Sequence, residues 1–223
     1  RISVVAGTGC PRAVDTIELC NYAAEVGADA ALVITPHYMI MTEDMLYDYY
    51  KTVAENSKIG VVIYHYALAS GVMLQPEFVK KLSSIDNIVG LKNTEDMDHT
   101  AKVIALTADD PDFKIAIGYD SLAVANLATG GDGSMGVVHN VVPKEMEKIY
   151  AAMKNNDVKE ACKLNARLQE LVMLLEAEPY PGPLKVAFDL MGLPGGVPRK
   201  PIAPPSDKMR ADMKACLTKL GVI

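Results

Sequence analysis

The stretch Ile88-Val89-Gly90-Leu91-Lys92-Asn93-Thr94 decides the reading of this chain, together with Gly60-Val61-Val62-Ile63-Tyr64 before it. Each is a short apolar run of strand length that ends in one chemistry-capable side chain, Lys92 in one case and Tyr64 in the other, 28 positions apart. That interval has room for a strand, a covering helix and their turns, which puts the two side chains at the ends of successive parallel strands. An amine emerging from an apolar strand end loses hydration, which favours its neutral form and lets it attack a ketone. A phenol at the neighbouring strand end can move the protons that imine formation and carbon–carbon bond cleavage require. Taken singly, a lysine at a strand end points into water and a tyrosine fills a core with its hydroxyl satisfied. The pairing of the two favours a Schiff-base lysine, as in a class I aldolase.

Working outward, apolar runs alternate with amphipathic stretches to about Lys154. The runs are Ile2–Gly7, Ala30–Ile34, Gly60–Tyr64, Ile88–Lys92, Lys114–Gly118 and Gly133–Val138. Between and after them, helices are predicted near Arg12–Val26, Glu43–Ser57, Gln75–Ser83, Met97–Ala108, Ser121–Thr129 and Lys144–Lys154, with Pro76 and Pro143 where a first turn tolerates proline. This is the pattern of repeated βα units around a parallel sheet. After Asn155 the pattern turns helical only, over Val158–Glu176, Pro183–Met191 and Asp207–Leu220. Two regions are therefore expected: a partial (β/α) barrel over residues 1–154 and a C-terminal helical extension over 155–223 packed on it.

Gly7-Thr8-Gly9, Thr35-Pro36-His37-Tyr38, Tyr64, Lys92 and Gly118-Tyr119-Asp120 all follow the C-terminal ends of different strands. That distribution suits an eight-stranded α/β barrel better than an open doubly wound sheet. Six of the eight units are present, and Arg1-Ile2-Ser3-Val4-Val5 reads as a strand already under way. The expectation is a molecule of about 300 residues with two further βα units ahead of Arg1.

The 223 residues carry a net charge of −6, are 50% hydrophobic and 22% charged, and contain no basic run, which argues against nucleic acid and anionic membranes as partners. Cys10, Cys20, Cys162 and Cys216 form no C-x-x-C pair, and they read as reduced core thiols of a cytoplasmic protein. His37, His65, His99 and His139 form no metal-ligand spacing, so no metal is implied. No segment approaches the roughly 20 apolar residues of a membrane span.

On these residues the chain resembles the dihydrodipicolinate synthase and N-acetylneuraminate lyase family. The likeness runs through Val5-Ala6-Gly7-Thr8-Gly9, Gly27-Ala28-Asp29-Ala30, Thr35-Pro36-His37-Tyr38, Val62-Ile63-Tyr64 with Ser70-Gly71, Val89-Gly90-Leu91-Lys92, Gly118-Tyr119-Asp120, Gly130-Gly131-Asp132-Gly133, and Pro183-Leu184-Lys185 through Gly192-Leu193. The resemblance implies that Lys92 forms an imine with pyruvate or another 2-keto acid, that Tyr64 shuttles protons, and that no cofactor is needed beyond that covalent imine. It also implies substrate-binding positions at Thr8, Tyr38, Ser70, Gly118, Asp120, Met135 and Gly136. Thr8 has a second reading as an ST-type turn former. Tyr38 resembles the tyrosine that the family borrows across a tight dimer interface, with a structural aromatic as the other reading. The partners implied are a small 2-keto acid and an aldehyde, in a homodimer or homotetramer.

Two departures bear on substrate. The family's G-T-T-G-type carboxylate loop, which follows its second strand, is absent, and five residues after Tyr64 stands Ala69, where dihydrodipicolinate synthases carry an arginine that grips a carboxylate. The run Tyr64-His65-Tyr66-Ala67-Leu68-Ala69-Ser70-Gly71 looks more like the lyase and sugar-acid aldolase branches. A 2-keto-3-deoxy sugar acid is therefore the first substrate expectation, 4-hydroxy-tetrahydrodipicolinate synthesis the second, and a non-catalytic barrel fragment the competing class. Gly131-Asp132-Gly133-Ser134-Met135-Gly136 fits G-x-G-x-x-G, but a helix precedes it and a strand follows, the reverse of a dinucleotide-binding turn.

Overall fold

The computed structural model of the protein describes residues 2–223. They form two compact units, one comprising the residues up to Tyr119 with Thr129–Ser134 and the other Asp120–Ala128 with Met135–Ile223.

The first unit is built on six parallel strands that pair strictly in chain order: β1 (Val5–Gly7), β2 (Ala30–Ile34), β3 (Gly60–His65), β4 (Ile88–Asn93), β5 (Lys114–Ile117) and β6 (Gly133–Ser134). The helices α1 (Ala13–Glu25), α2 (Glu43–Asn56), α4 (Pro76–Ser83) and α5 (Met97–Thr107) connect them, and a single turn, α3 (Ala67–Ser70), follows β3. This is a half-barrel of the α/β type, with successive parallel strands joined by helical crossovers.

Alternation along the strands sorts the two faces of the sheet. Ala31, Val33, Val61, Ile63 and Leu91 are fully buried, in one core with Tyr50, Val53, Val79, Leu82 and Val103 of the covering helices. Leu32, Ile34, Val62, Tyr64 and Lys92, on the opposite face, are half-buried. Helix starts are set locally: the Thr42 hydroxyl accepts from Met45 N at 3.3 Å to cap α2, Asp96 accepts from His99 N at 2.8 Å to cap α5, and Pro76 opens α4.

The pairing of β3 with β4 contains a bulge. Val61 registers with Ile88 but Val62 with Gly90, so Val89 is the extra residue and the register beyond it becomes Tyr64 with Lys92 and His65 with Asn93. Without that insertion Tyr64 would fall opposite Leu91 and the lysine would stand beside His65, on the other face. Gly90 is required at this point, because a Cβ there would lie 2.5 Å from the Lys114 carbonyl oxygen of β5.

The second unit is helical: α6 (Ala123–Thr129), α7 (Pro143–Lys154), α8 (Val158–Glu176), α9 (Gly182–Leu190) and α10 (Asp207–Leu220). Leu168, Leu171, Val172 and Leu175 form the buried stripe of α8, and they share a core with Met146 and Ile149 of α7 and Met213 and Leu217 of α10. The sixth strand is shorter than its apolar run predicts. Val137 and Val138 donate their amides to the Asp120 carboxylate at 2.8 and 3.1 Å, and the chain turns through a 3-10 segment at Val138–Asn140 instead of extending. Among the described residues, no helix is long and apolar enough to cross a membrane.

Candidate active site

Lys92 and Tyr64 meet. They are registered partners at the C-terminal ends of β4 and β3, both half-buried, and Lys92 Nζ lies 4.1 Å from the centroid of the Tyr64 ring. A cationic nitrogen over an aromatic face is attracted by the ring quadrupole. Tyr66 stacks on Tyr64 with centroids 6.3 Å apart and planes at 23°, and Tyr119 approaches Tyr66 edge-on at 6.5 Å and 87°. A primary amine thus sits against an aromatic cluster at the ends of three strands, a setting that can hold an amine for addition to a carbonyl and shelter the cation that results.

The other residues expected at the site have varied surroundings. Gly118 follows β5 and donates its amide to Asn93 O at 2.7 Å, and a Cβ on it would overlap the Thr94 hydroxyl, so strand ends β4 and β5 close up only over glycine. Thr8 is buried with its hydroxyl 3.2 Å from Cys20 Sγ, and Ser70 spends its hydroxyl within α3, donating to Tyr66 O at 3.0 Å and accepting from Val72 N at 3.2 Å. Tyr38 is 97% exposed in a left-handed conformation with φ of 76°. In the second unit the Asp120 carboxylate is buried, accepting from Val137 N and Val138 N and lying 3.1 Å from His139 Nδ1. Gly136 packs directly on that carboxylate, and Met135 is half-buried beside it in sequence. The Glu176 carboxyl is pushed up, first by burial and then by the Asp120 charge.

Of the cysteines expected in the core, Cys20 and Cys216 are buried and Cys10 is half-buried, but Cys162 is exposed. It occupies the second turn of α8, outside the buried stripe that begins at Ala161.

Sequence reasoning missed a polar network on the helix-covered face of the same strand ends. His65 Nδ1 and Asn93 Oδ1 are 3.0 Å apart, Leu74 N donates to His65 Nε2 at 3.1 Å, Asn93 Nδ2 donates to His99 Nδ1 at 3.1 Å, and His99 Nε2 is 2.7 Å from Leu74 O. Burial, with His99 nearby as the lesser cause, lowers the His65 pKa to about 4. The available signal was positional: His65 and Asn93 each directly follow a candidate catalytic residue.

The family model described as the dihydrodipicolinate synthetase family matches residues 1–220. A 4-hydroxy-tetrahydrodipicolinate synthase of Methanothrix thermoacetophila is 38% identical over 221 residues, covering 99% of this chain and 75% of the relative. The crystal structure of dihydrodipicolinate synthase from Thermotoga maritima superposes with a TM-score of 0.96 at 31% identity, covering 100% of this chain and 76% of that one. A prophage protein of the dihydrodipicolinic acid synthase family from E. coli K12, solved in complex with pyruvate, gives 0.94 at 30% identity over 100% of this chain and 76% of its own.

Proposed function

We propose, from the premise that this chain belongs to the dihydrodipicolinate synthetase family, that Lys92 condenses with C2 of pyruvate and that the resulting enamine adds to an aldehyde. The observation that carries this reading is the placement of Lys92 Nζ 4.1 Å from the Tyr64 ring at registered strand ends.

The neutral amine of Lys92 adds to the keto carbon, and the carbinolamine loses its hydroxyl as water, leaving a protonated imine. The iminium nitrogen withdraws electrons from the adjacent methyl, which gives up a proton and becomes the enamine carbon. That carbon attacks the aldehyde carbonyl, whose oxygen takes up a proton, and the iminium is restored. Each proton movement needs a donor or acceptor within reach, and the Tyr64 phenol is the group we assign to it. The face of the same ring stabilises the cationic nitrogen at both iminium stages.

The relatives' shared name, 4-hydroxy-tetrahydrodipicolinate synthase, supports that synthesis ahead of the reaction of a 2-keto-3-deoxy sugar acid, reversing the order expected from sequence, and we take aspartate semialdehyde as its aldehyde. Ala69 keeps the sugar-acid reaction as a second reading, because the exposed turn that carries it offers no cation to a substrate carboxylate. Thr8, Ser70 and Gly118, in the same unit as Lys92, enter this proposal as residues that shape the walls of the site. Tyr38, with its ring in solvent, enters as the contact of a homodimer or homotetramer.

Treatment with pyruvate and borohydride tests the core of the reading. A single reduced pyruvyl adduct is expected, mapping by peptide mass to Lys92 and absent from Lys92→Arg. An adduct on another lysine, or none, overturns it.

A further inference from the structure

We propose that His65, Asn93 and His99 are positioning residues for this reaction: the ring of hydrogen bonds they close with the Leu74 backbone locks the ends of β3 and β4 together and so holds the Tyr64 ring on Lys92 Nζ. The inference rests on the imine reading of Lys92 and adds to it the device that maintains its geometry.

The donor and acceptor roles around the ring follow from one constraint. Leu74 N can only donate, so His65 Nε2 must accept, and His65 carries its proton on Nδ1, which it gives to Asn93 Oδ1. The Asn93 amide then faces its nitrogen outward, donating to His99 Nδ1 and to Thr100 Oγ1 at 2.9 Å. His99 Nδ1 therefore accepts, its proton is on Nε2, and it goes to Leu74 O. Flipping the Asn93 amide would turn two N–H groups toward each other at Leu74, so a single arrangement satisfies every member. The Thr100 hydroxyl passes its own proton to Asp96 O at 2.7 Å, and the Glu95 carboxylate anchors Ala67 N at 2.8 Å.

The location makes this more than core filling. His65 and Asn93 are registered with each other one residue beyond the Tyr64–Lys92 pair, and both are fully buried on the opposite face of the sheet. Apolar side chains would occupy the same space without the cost of burying the His65 imidazole and the Asn93 amide and half-burying the His99 imidazole. What the polar ring adds is direction. It ties two strand ends, the first turn of α5 and the segment at Leu74 to one geometry at the point where a sheet otherwise frays. A shift of about 1 Å at a reacting group is enough to cost on the order of 100-fold in rate.

The test measures the rate of borohydride trapping at saturating pyruvate, the KM for pyruvate and the far-ultraviolet circular dichroism of His99→Phe, His99→Gln and His65→Asn in the full 223-residue chain. His99→Phe should trap about tenfold more slowly with KM changed by less than about twofold, and His99→Gln, which keeps a donor for Leu74 O, should recover most of that loss. A folded His99→Phe that traps at the unaltered rate, or a His99→Gln no better than it, overturns the proposal. Should His99→Phe fail to fold, His65→Asn decides. It retains the bond to Asn93 and releases Leu74, and a loss of about threefold is expected, with an unaltered rate overturning the proposal. Absence of a Lys92 adduct in the unaltered chain would instead remove the imine reading on which the inference stands.

Discussion

Gly136 and the Asp120 carboxylate share one space: a Cβ on Gly136 would overlap that carboxylate. The carboxylate holds the amides of Val137 and Val138 at 2.8 and 3.1 Å, and these bonds turn the chain out of the sheet direction after Ser134. Gly136→Ala must therefore either expel Asp120 or open the turn. A loss of about 3 kcal/mol in urea unfolding is expected, from two buried bonds to a charged acceptor. A change below about 0.5 kcal/mol, the range of ordinary surface substitutions, would show that the turn stands without Asp120.

The ring and the hydroxyl of Tyr64 are separable. Tyr64→Phe keeps the aromatic face on Lys92 and removes the phenol, so trapping of the imine should slow and turnover should fall by about 100-fold or more. Tyr64→Leu removes both, and trapping should slow further. Equal trapping by the Phe and Leu variants would show that the ring face contributes nothing to the iminium.

Local signals carried most of the architecture and only part of the site. Ala30–Ile34, Val158–Glu176 and Asp207–Leu220 run as periodicity predicts, the two helices beginning after capping Asp157 and Ser206. The end of the sixth strand was not legible, because Val137 and Val138 are apolar and β-branched and only the distant Asp120 carboxylate draws them into a turn. The meeting of Tyr64 and Lys92 followed from their strand-end positions. The bulge at Val89 that puts them on one face did not, since nothing in an Ile-Val-Gly-Leu run marks which residue will lose its partner. The network at His65 and Asn93 was not legible because their partners lie 9 and 6 residues on, at Leu74 and His99, and such pairings have no sequence signature; His65 reads from sequence as a substrate-specificity or interface position, whereas it is fully buried.

Ala69 offers a gain-of-function experiment. It is exposed on α3, so Ala69→Arg should fold without penalty and supply the guanidinium that the turn lacks. The KM for aspartate semialdehyde should fall by about tenfold, the scale of one charge-assisted hydrogen bond, with the pyruvate trapping rate unchanged. An unchanged KM would locate carboxylate recognition elsewhere in the site.

His65 gives the fold a pH dependence whose sign can be worked out. Its imidazole is fully buried and its pKa is lowered from 6.5 to about 4, first by burial and then by His99. Between those values the unfolded chain binds a proton at His65 that the folded chain refuses, so stability is full above pH 6.5 and declines as the pH falls toward 4. The decline attributable to this one group is roughly 3 kcal/mol. Below pH 4 the folded ring takes up the proton, and Nε2 can no longer accept from Leu74 N. Urea unfolding between pH 7 and 4 checks this by comparison with His65→Asn, which has no titrating ring and should lose less stability across that range even if it is weaker at pH 7. Parallel curves for the two proteins would show that the acid sensitivity arises at other groups.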